Sequence, residues 1–172
     1  MYLEKEIFIR DNKYNVVIKK NGVQLDTSKG TTIKFEVGYW RKANHIHDWF
    51  VERVQDGTDD CGRYYVNKEH LQKLLNTCKE VVEKAKLEDG KTYAGTTYLD
   101  GEQIEHYENG KIISNVNEIA QLLPTKSGFF FGSEQYDEFY LESVKETIQI
   151  LEPLLEEDVD DWTISYYYTS SW

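Results

Sequence analysis

The chain has 172 residues, of which 40% are hydrophobic, 14% aromatic and 30% charged, a balance that excludes a disordered polypeptide and suits one domain with a real core. Its 31 acidic and 20 basic side chains leave a net charge of -11, which excludes broad attraction to duplex nucleic acid, so an anionic ligand would need a local cation cluster. No apolar run reaches the roughly 18 residues of a membrane span and no leader pattern opens the chain, so a soluble, cytoplasmic protein is expected.

From Tyr2 to Val37 the pattern is that of strands, over Tyr2 to Ile9, Tyr14 to Ile18 and Thr32 to Val37. Turn chemistry separates them at Asp11-Asn12, Asn21-Gly22 and Ser28-Lys29-Gly30. The Asn21-Gly22 pair is the strongest hairpin signal, because both central positions of a type I′ turn need positive φ. An antiparallel sheet is expected here.

After Gly38 the period becomes helical, through a stretch that interleaves aromatic, cationic and histidine side chains. With Trp40 as origin and about 100° per residue, Trp40, Ala43, Asn44, His47, Phe50, Val51 and Val54 share an inward arc that Ile46 widens. Arg41, His45, Asp48 and Glu52 fall on the solvated side. Lys42, Trp49 and Arg53 form a stripe at one edge, offering cations and an indole face to a stacked anion. The helix stops near Gln55, and Asp56 to Gly62 reads as a loop.

A second helix runs from an Asn67 N-cap to Ala85, with Leu71, Leu74, Leu75, Cys78, Val81 and Val82 on one face. Cys78 reads there as a small buried hydrophobe. Residues Asp89 to Asn115 read as a β-arm or meander of three short strands, with turns at Asp89-Gly90, Asp100-Gly101 and Asn109-Gly110. A short helix from Val116 to Leu122 ends before Pro124. Phe129, Phe130 and Phe131 then read as a buried strand, after which Ser133 caps a helix with Tyr136, Phe139, Tyr140, Ser143, Thr147, Ile150, Leu151 and Leu154 inward. An acidic loop from Glu156 to Asp161 precedes a last strand, Trp162 to Tyr168, that joins the main sheet.

Few catalytic constellations survive inspection. His45 and His47, two apart on a helix, point about 200° from each other and cannot grip one ion. His47 reads either as a core histidine bonded to a tyrosine or backbone carbonyl or as a general base. Cys61 lies beside Asp59 and Asp60, which oppose a reactive thiolate, and with Cys78 it forms no CxxC pair. GxxxxGK[ST], GxGxxG and GxSxG are all missing, so nucleotide-hydrolysing and dinucleotide folds lack support. Neither a metal nor a cofactor is expected.

The stretches GYWRKANHIHDWF, DDC and LLPTKSGFFFGSEQYDEFY, with the ending YYYTSSW, resemble a family of small bacteriophage- and prophage-encoded proteins of unassigned function. The likeness covers Gly38 to Val82 and Leu122 to Trp172, and the strands before Gly38 and the arm look like additions to it. It implies a phage context, in which small proteins without enzymatic motifs often counter host defence.

The resulting expectation is a single α+β domain over residues 1–172, an antiparallel sheet packed by about three helices with a β-arm at 89–115. The leading functional expectation is non-catalytic binding of a small anionic, nucleotide-derived ligand. In it Trp40, Trp49 and Tyr136 are aromatic walls, Arg41, Lys42 and Arg53 neutralise phosphate, and Asn44, His47 and Ser133 make directional hydrogen bonds. The alternatives are an acidic protein that inhibits a host defence protein, DNA mimicry included, and a phosphodiesterase or nucleotide hydrolase using His47. Oligomeric state is left open.

Overall fold

The computed structural model describes residues 1–9, 17–26, 28, 30–128, 132–156 and 162–171. In chain order the elements are β1 (Tyr2–Ile9), β2 (Lys19–Lys20), β3 (Val23–Gln24), β4 (Thr31–Tyr39), α1 (Asn44–Val54) and β5 (Arg63–Val66). They continue with α2 (Lys68–Lys84), β6 (Leu87–Leu99), β7 (Glu102–Ile113), α3 (Val116–Leu122), α4 (Glu138–Glu156) and β8 (Ile164–Thr169). The fold is α+β, as the sequence pattern implies. Among the described residues no helix is long and apolar enough to cross a membrane.

The main sheet has the order β4-β1-β8-β5, with every neighbouring pair antiparallel. The last strand thus sits inside the sheet, between β1 and β5. Strand alternation sends Leu3, Val66, Tyr166 and Tyr168 into one core, where they meet Ile46 and Phe50 of α1, Leu71, Leu74 and Cys78 of α2, and Val144 and Leu151 of α4. The other face carries Arg63, which bonds Glu4 at 2.9 Å and Glu6 at 2.7 Å and lies 3.5 Å over the Tyr167 ring. Side chains that alternate between core and solvent in this way tie the register of the three strands to the burial pattern.

Two sequence expectations hold in detail. Asn21 and Gly22 both have positive φ, 51° and 80°, and join β2 to β3 as a tight hairpin. Asn67 caps α2 by accepting from the His70 N–H at 2.8 Å, and the inward residues Leu71, Leu74, Leu75, Cys78 and Val81 are buried. Burial pushes the Cys78 thiol up to about 12.

Several expectations need correction. The first helix begins at Asn44, so Trp40, Arg41 and Lys42 belong to the connection after β4 and the stripe Lys42, Trp49, Arg53 is not a helical one. Lys42 has φ 59°, a left-handed turn that separates strand from helix. His45 is not on a solvated face; it is only 4% exposed because α4 packs against that side of α1. Ser133 does not cap α4. Asp137 does, accepting from the N–H groups of Phe139 at 3.0 Å and Tyr140 at 2.9 Å. Tyr136 therefore precedes the helix, and Phe139, on its first turn, is 55% exposed rather than inward.

The arm is one hairpin rather than a three-stranded meander, with β6 paired to β7 from Leu87↔Ile113 to Leu99↔Glu102 and a turn at Asp100-Gly101. Gly90 and Gly110 face each other inside the strands. A Cβ on Gly110 would lie 2.7 Å from the Glu138 carboxylate, which accepts the Lys111 N–H, so this glycine serves the close approach of α4. The four residues of β5 fall between the expected loop, which ends at Gly62, and the Asn67 cap, where no strand is expected from the sequence. The expected Asp11-Asn12 turn, the start of the Tyr14 strand, the Phe129 to Phe131 strand and most of the acidic loop lie outside the described residues.

Candidate ligand-binding cleft

A cleft of about 810 Å³ opens where four pieces of chain converge. These are the connection before α1, the segment from Gly132 to Asp137, the first turns of α4, and the base of the β6–β7 arm. Its volume lies within the range of roughly 300–1,000 Å³ of small-molecule sites.

The connection before α1 supplies Arg41 and Lys42, both exposed. Gly132, at φ 85°, sits directly against Lys42: a Cβ there would lie 2.9 Å from the Lys42 Cβ and 3.0 Å from its carbonyl oxygen. Only glycine combines that conformation with that approach, and it brings Ser133 next to the two cations. Asn44 fixes the arrangement. Its amide donates to the Ser133 carbonyl at 2.9 Å and its oxygen accepts from the Lys126 N–H at 3.0 Å, so one side chain fastens both Lys126 and Ser133 to α1. The Lys126 ammonium adds an ion pair to Asp48 of α1 at 3.0 Å.

The opposite wall is aromatic and acidic. Cross-strand partners Tyr93 and Tyr107 meet edge to face at 6.1 Å. The Tyr107 hydroxyl donates to Glu105 at 2.7 Å, and the Tyr93 hydroxyl bonds Thr96. The Tyr93 N–H donates to Gln135 at 2.9 Å and joins the arm to the Gly132 to Asp137 segment. Tyr140 and Phe139 close the floor, where the Tyr140 hydroxyl donates to the Leu123 carbonyl and its phenol pKa is raised by burial.

His45 and Ser143 also line the cleft, with Nε2 2.9 Å from Oγ. The serine donates its one proton to the Tyr140 carbonyl at 2.8 Å, which leaves its oxygen to accept from the ring. Burial pulls the His45 pKa down to about 3. A neutral imidazole donating to a serine is a packing contact rather than a nucleophile and its base. Asp137 is spent on capping α4, and burial raises its carboxyl pKa against the pull of the two N–H donors. The cleft therefore offers two cations, Arg41 and Lys42, and two carboxylates, Glu105 and Glu134.

Of the site residues expected from the sequence, Arg41, Lys42 and Ser133 line this cleft and Asn44 sits beneath it as the loop's fastening. The others lie elsewhere. Trp40 is in the core, its indole N–H donating to Thr147 at 2.9 Å. His47 is buried with Nδ1 2.7 Å from the Tyr168 hydroxyl and Nε2 3.0 Å from Asp59. Trp49 packs edge-on against Phe50, Arg53 is exposed at the end of α1, and the Tyr136 hydroxyl accepts from the Thr125 N–H. Tyr93, Glu105, Tyr107 and Gln135 escape the sequence reading. Counting outward from the Asp100-Gly101 turn sets Tyr107 opposite Ala94, and it is the register shift between Tyr93 and Gly95 that brings Tyr93 and Tyr107 face to face.

Among the described residues no group of three or more His, Cys, Asp or Glu side chains is placed to hold a metal ion. Comparison of the chain with protein-family models, with curated proteins and with solved structures finds no match in any of the three.

Proposed function

We propose that the cleft binds a small anionic ligand of the nucleotide class without transforming it. The carrying observation is the meeting of Arg41, Lys42 and Ser133 with Tyr93, Tyr107 and Phe139 around one cavity of about 810 Å³. A phosphate would be met by the two cations and the serine hydroxyl. A base has tyrosine and phenylalanine faces to stack on, and ribose hydroxyls have Glu105 and Glu134 as acceptors. The reading as a binder rather than a hydrolase is supported by His47, whose ring nitrogens are both engaged away from the cleft, and by the His45–Ser143 pair, which is already satisfied. Support for a counter-defence role in the host cytoplasm comes from the resemblance to phage-encoded proteins.

The test is calorimetric titration of the whole chain with linear, cyclic and ADP-ribose-type nucleotides, followed by heating and chromatography of what is released. At least one compound is expected to bind and to come off intact. Arg41→Ala with Lys42→Ala should weaken it by about a hundredfold, roughly tenfold for each cation removed. Binding that ignores the double substitution would place the ligand elsewhere. A chemically altered product would make the protein an enzyme.

A further inference from the structure

The outer part of the β6–β7 arm, which shares Glu105 with the cleft, carries an inference that does not rest on the cleft's ligand. We infer that the arm from Gly95 to His106 is a docking strand for an extended, Lys- or Arg-bearing segment of a partner protein, which adds to one of its open edges.

Three observations converge. First, the arm is a two-stranded sheet, so among the described residues each strand has an outer edge with no strand beside it. At the base those edges are covered: the N–H groups of Tyr93, Lys111 and Ile113 donate to Gln135, Glu138 and the Tyr136 carbonyl. Past Tyr93 and Tyr107 no such bond to the outer edges is found among the described residues.

Second, the outer arm exposes apolar groups on both faces. The register puts Tyr98 on the side of Tyr93 and Tyr107 and puts Leu99 and Ile104 on the other, and Tyr98 and Leu99 are 73% and 63% exposed. Open edges are ordinarily blunted by lysine, proline or a bulge. The only register shift falls at the base, between Tyr93 and Gly95, and no lysine or proline follows it before Tyr107.

Third, the charge has one sign. Asp100, Glu102 and Glu105 are exposed, and no Lys or Arg lies between Tyr93 and Tyr107. Edge-to-edge pairing of two copies would bring these carboxylates together in chains that each carry -11, so the surface opposes self-association. An extended segment that alternates basic and apolar side chains satisfies the same surface. Its main chain pairs with the open edge, its cations meet Glu105 and the Tyr98 ring on one face, and its apolar residues cover Leu99 and Ile104 on the face whose rim carries Glu102.

The experiment uses the whole chain and a labelled synthetic peptide of about ten residues, the length of a long strand, alternating Lys and Val. A Glu-Val peptide and a Lys-Val peptide methylated on alternate backbone nitrogens serve as controls, all followed by fluorescence anisotropy. The Lys-Val peptide is expected to bind and the Glu-Val peptide not. Methylation, the double substitution E102K/E105K and the triple substitution Y98S/L99S/I104S should each weaken binding by about tenfold or more. All substituted positions are exposed, and unchanged thermal unfolding confirms that the variants are folded. No binding of the Lys-Val peptide at about 1 mM, or binding that none of these changes reduces, overturns the proposal. Equal binding of the methylated peptide overturns strand addition, and a wild-type dimer that the substitutions dissociate makes the occupant a second copy.

Discussion

Asn44 donates its side-chain amide to the Ser133 carbonyl at 2.9 Å across 89 residues of sequence, and through that bond the segment lining the cleft is mounted on the first helix. The same side chain accepts from the Lys126 N–H. Asn44→Ala removes the partner of a carbonyl and of an N–H, a loss of about 1–3 kcal/mol, readable in urea unfolding. Because Ser133 loses its fastening to α1, nucleotide binding should fall further than the loss of stability explains. An Asn44→Ala protein that unfolds like the wild type would show that Lys126 and Ser133 are held by other contacts.

His45 makes stability depend on pH. The unfolded chain takes up a proton on this residue near 6.5, whereas the folded chain resists until about 3, because burial penalises the charged ring. Between those values the unfolded state holds the extra proton, so this contribution is fully present above about pH 6.5 and is lost as pH falls toward 3. The slope reaches at most about 1.4 kcal/mol per pH unit. Replacing His45 by Gln keeps a hydrogen-bonding group for Ser143 without the titration. Unfolding free energies compared from about pH 6.5 down to about pH 4.5 should show the wild type losing stability faster than the variant. Parallel curves would mean that the folded state accommodates the charged ring.

What the sequence discloses and what it hides follow from how many partners an element has. Helix α2 buries one face, so Leu71, Leu74, Leu75, Cys78 and Val81 repeat at the helical period and are legible at once. Helix α1 is covered on more than one side, by the sheet at Phe50 and by α4 at His45, and a wheel that assumes one buried arc puts His45 in solvent. Trp40 fits that arc by coincidence, since it is buried by its own bond to Thr147 from outside the helix. In the arm, Gly90 and Gly110 imitate turn residues because close packing and sharp turning both require the smallest side chain. The cationic wall of the cleft is legible as Arg41, Lys42 and Ser133. Its aromatic wall depends on a hairpin register that those turn-like glycines conceal.

The two cysteines should behave differently toward thiol reagents. Cys78 is buried on the inner face of α2 with its thiol pushed up to about 12, whereas Cys61 is half-buried in the loop before β5. In the native protein a maleimide should label Cys61 and leave Cys78 untouched, and denaturant should release the second thiol, as peptide mass mapping can show. Cys78→Ser, which places a hydroxyl among leucines, should cost about 1–3 kcal/mol. Rapid native labelling of Cys78 would indicate that α2 opens locally from the core.

Tyr168 joins the central strand to α1 in two ways, and a single substitution separates them. Its ring stacks on Phe50 with centroids 4.0 Å apart and planes 11° from parallel, and its hydroxyl lies 2.7 Å from His47 Nδ1. Tyr168→Phe keeps the stack and deletes the hydroxyl, so that buried imidazole loses a partner where water does not replace it, at a cost of about 1–3 kcal/mol. Phe50→Ala removes the stack and leaves a cavity, at a cost of about 3–5 kcal/mol. Asp59, on the other ring nitrogen, is partly open to solvent, so Asp59→Asn should cost less than Tyr168→Phe. Chemical unfolding of the three variants should rank them Phe50→Ala, Tyr168→Phe, Asp59→Asn in decreasing damage. If Asp59→Asn proved the most harmful of the three, His47 would be held chiefly from the solvent side, and the interior tyrosine would contribute packing alone.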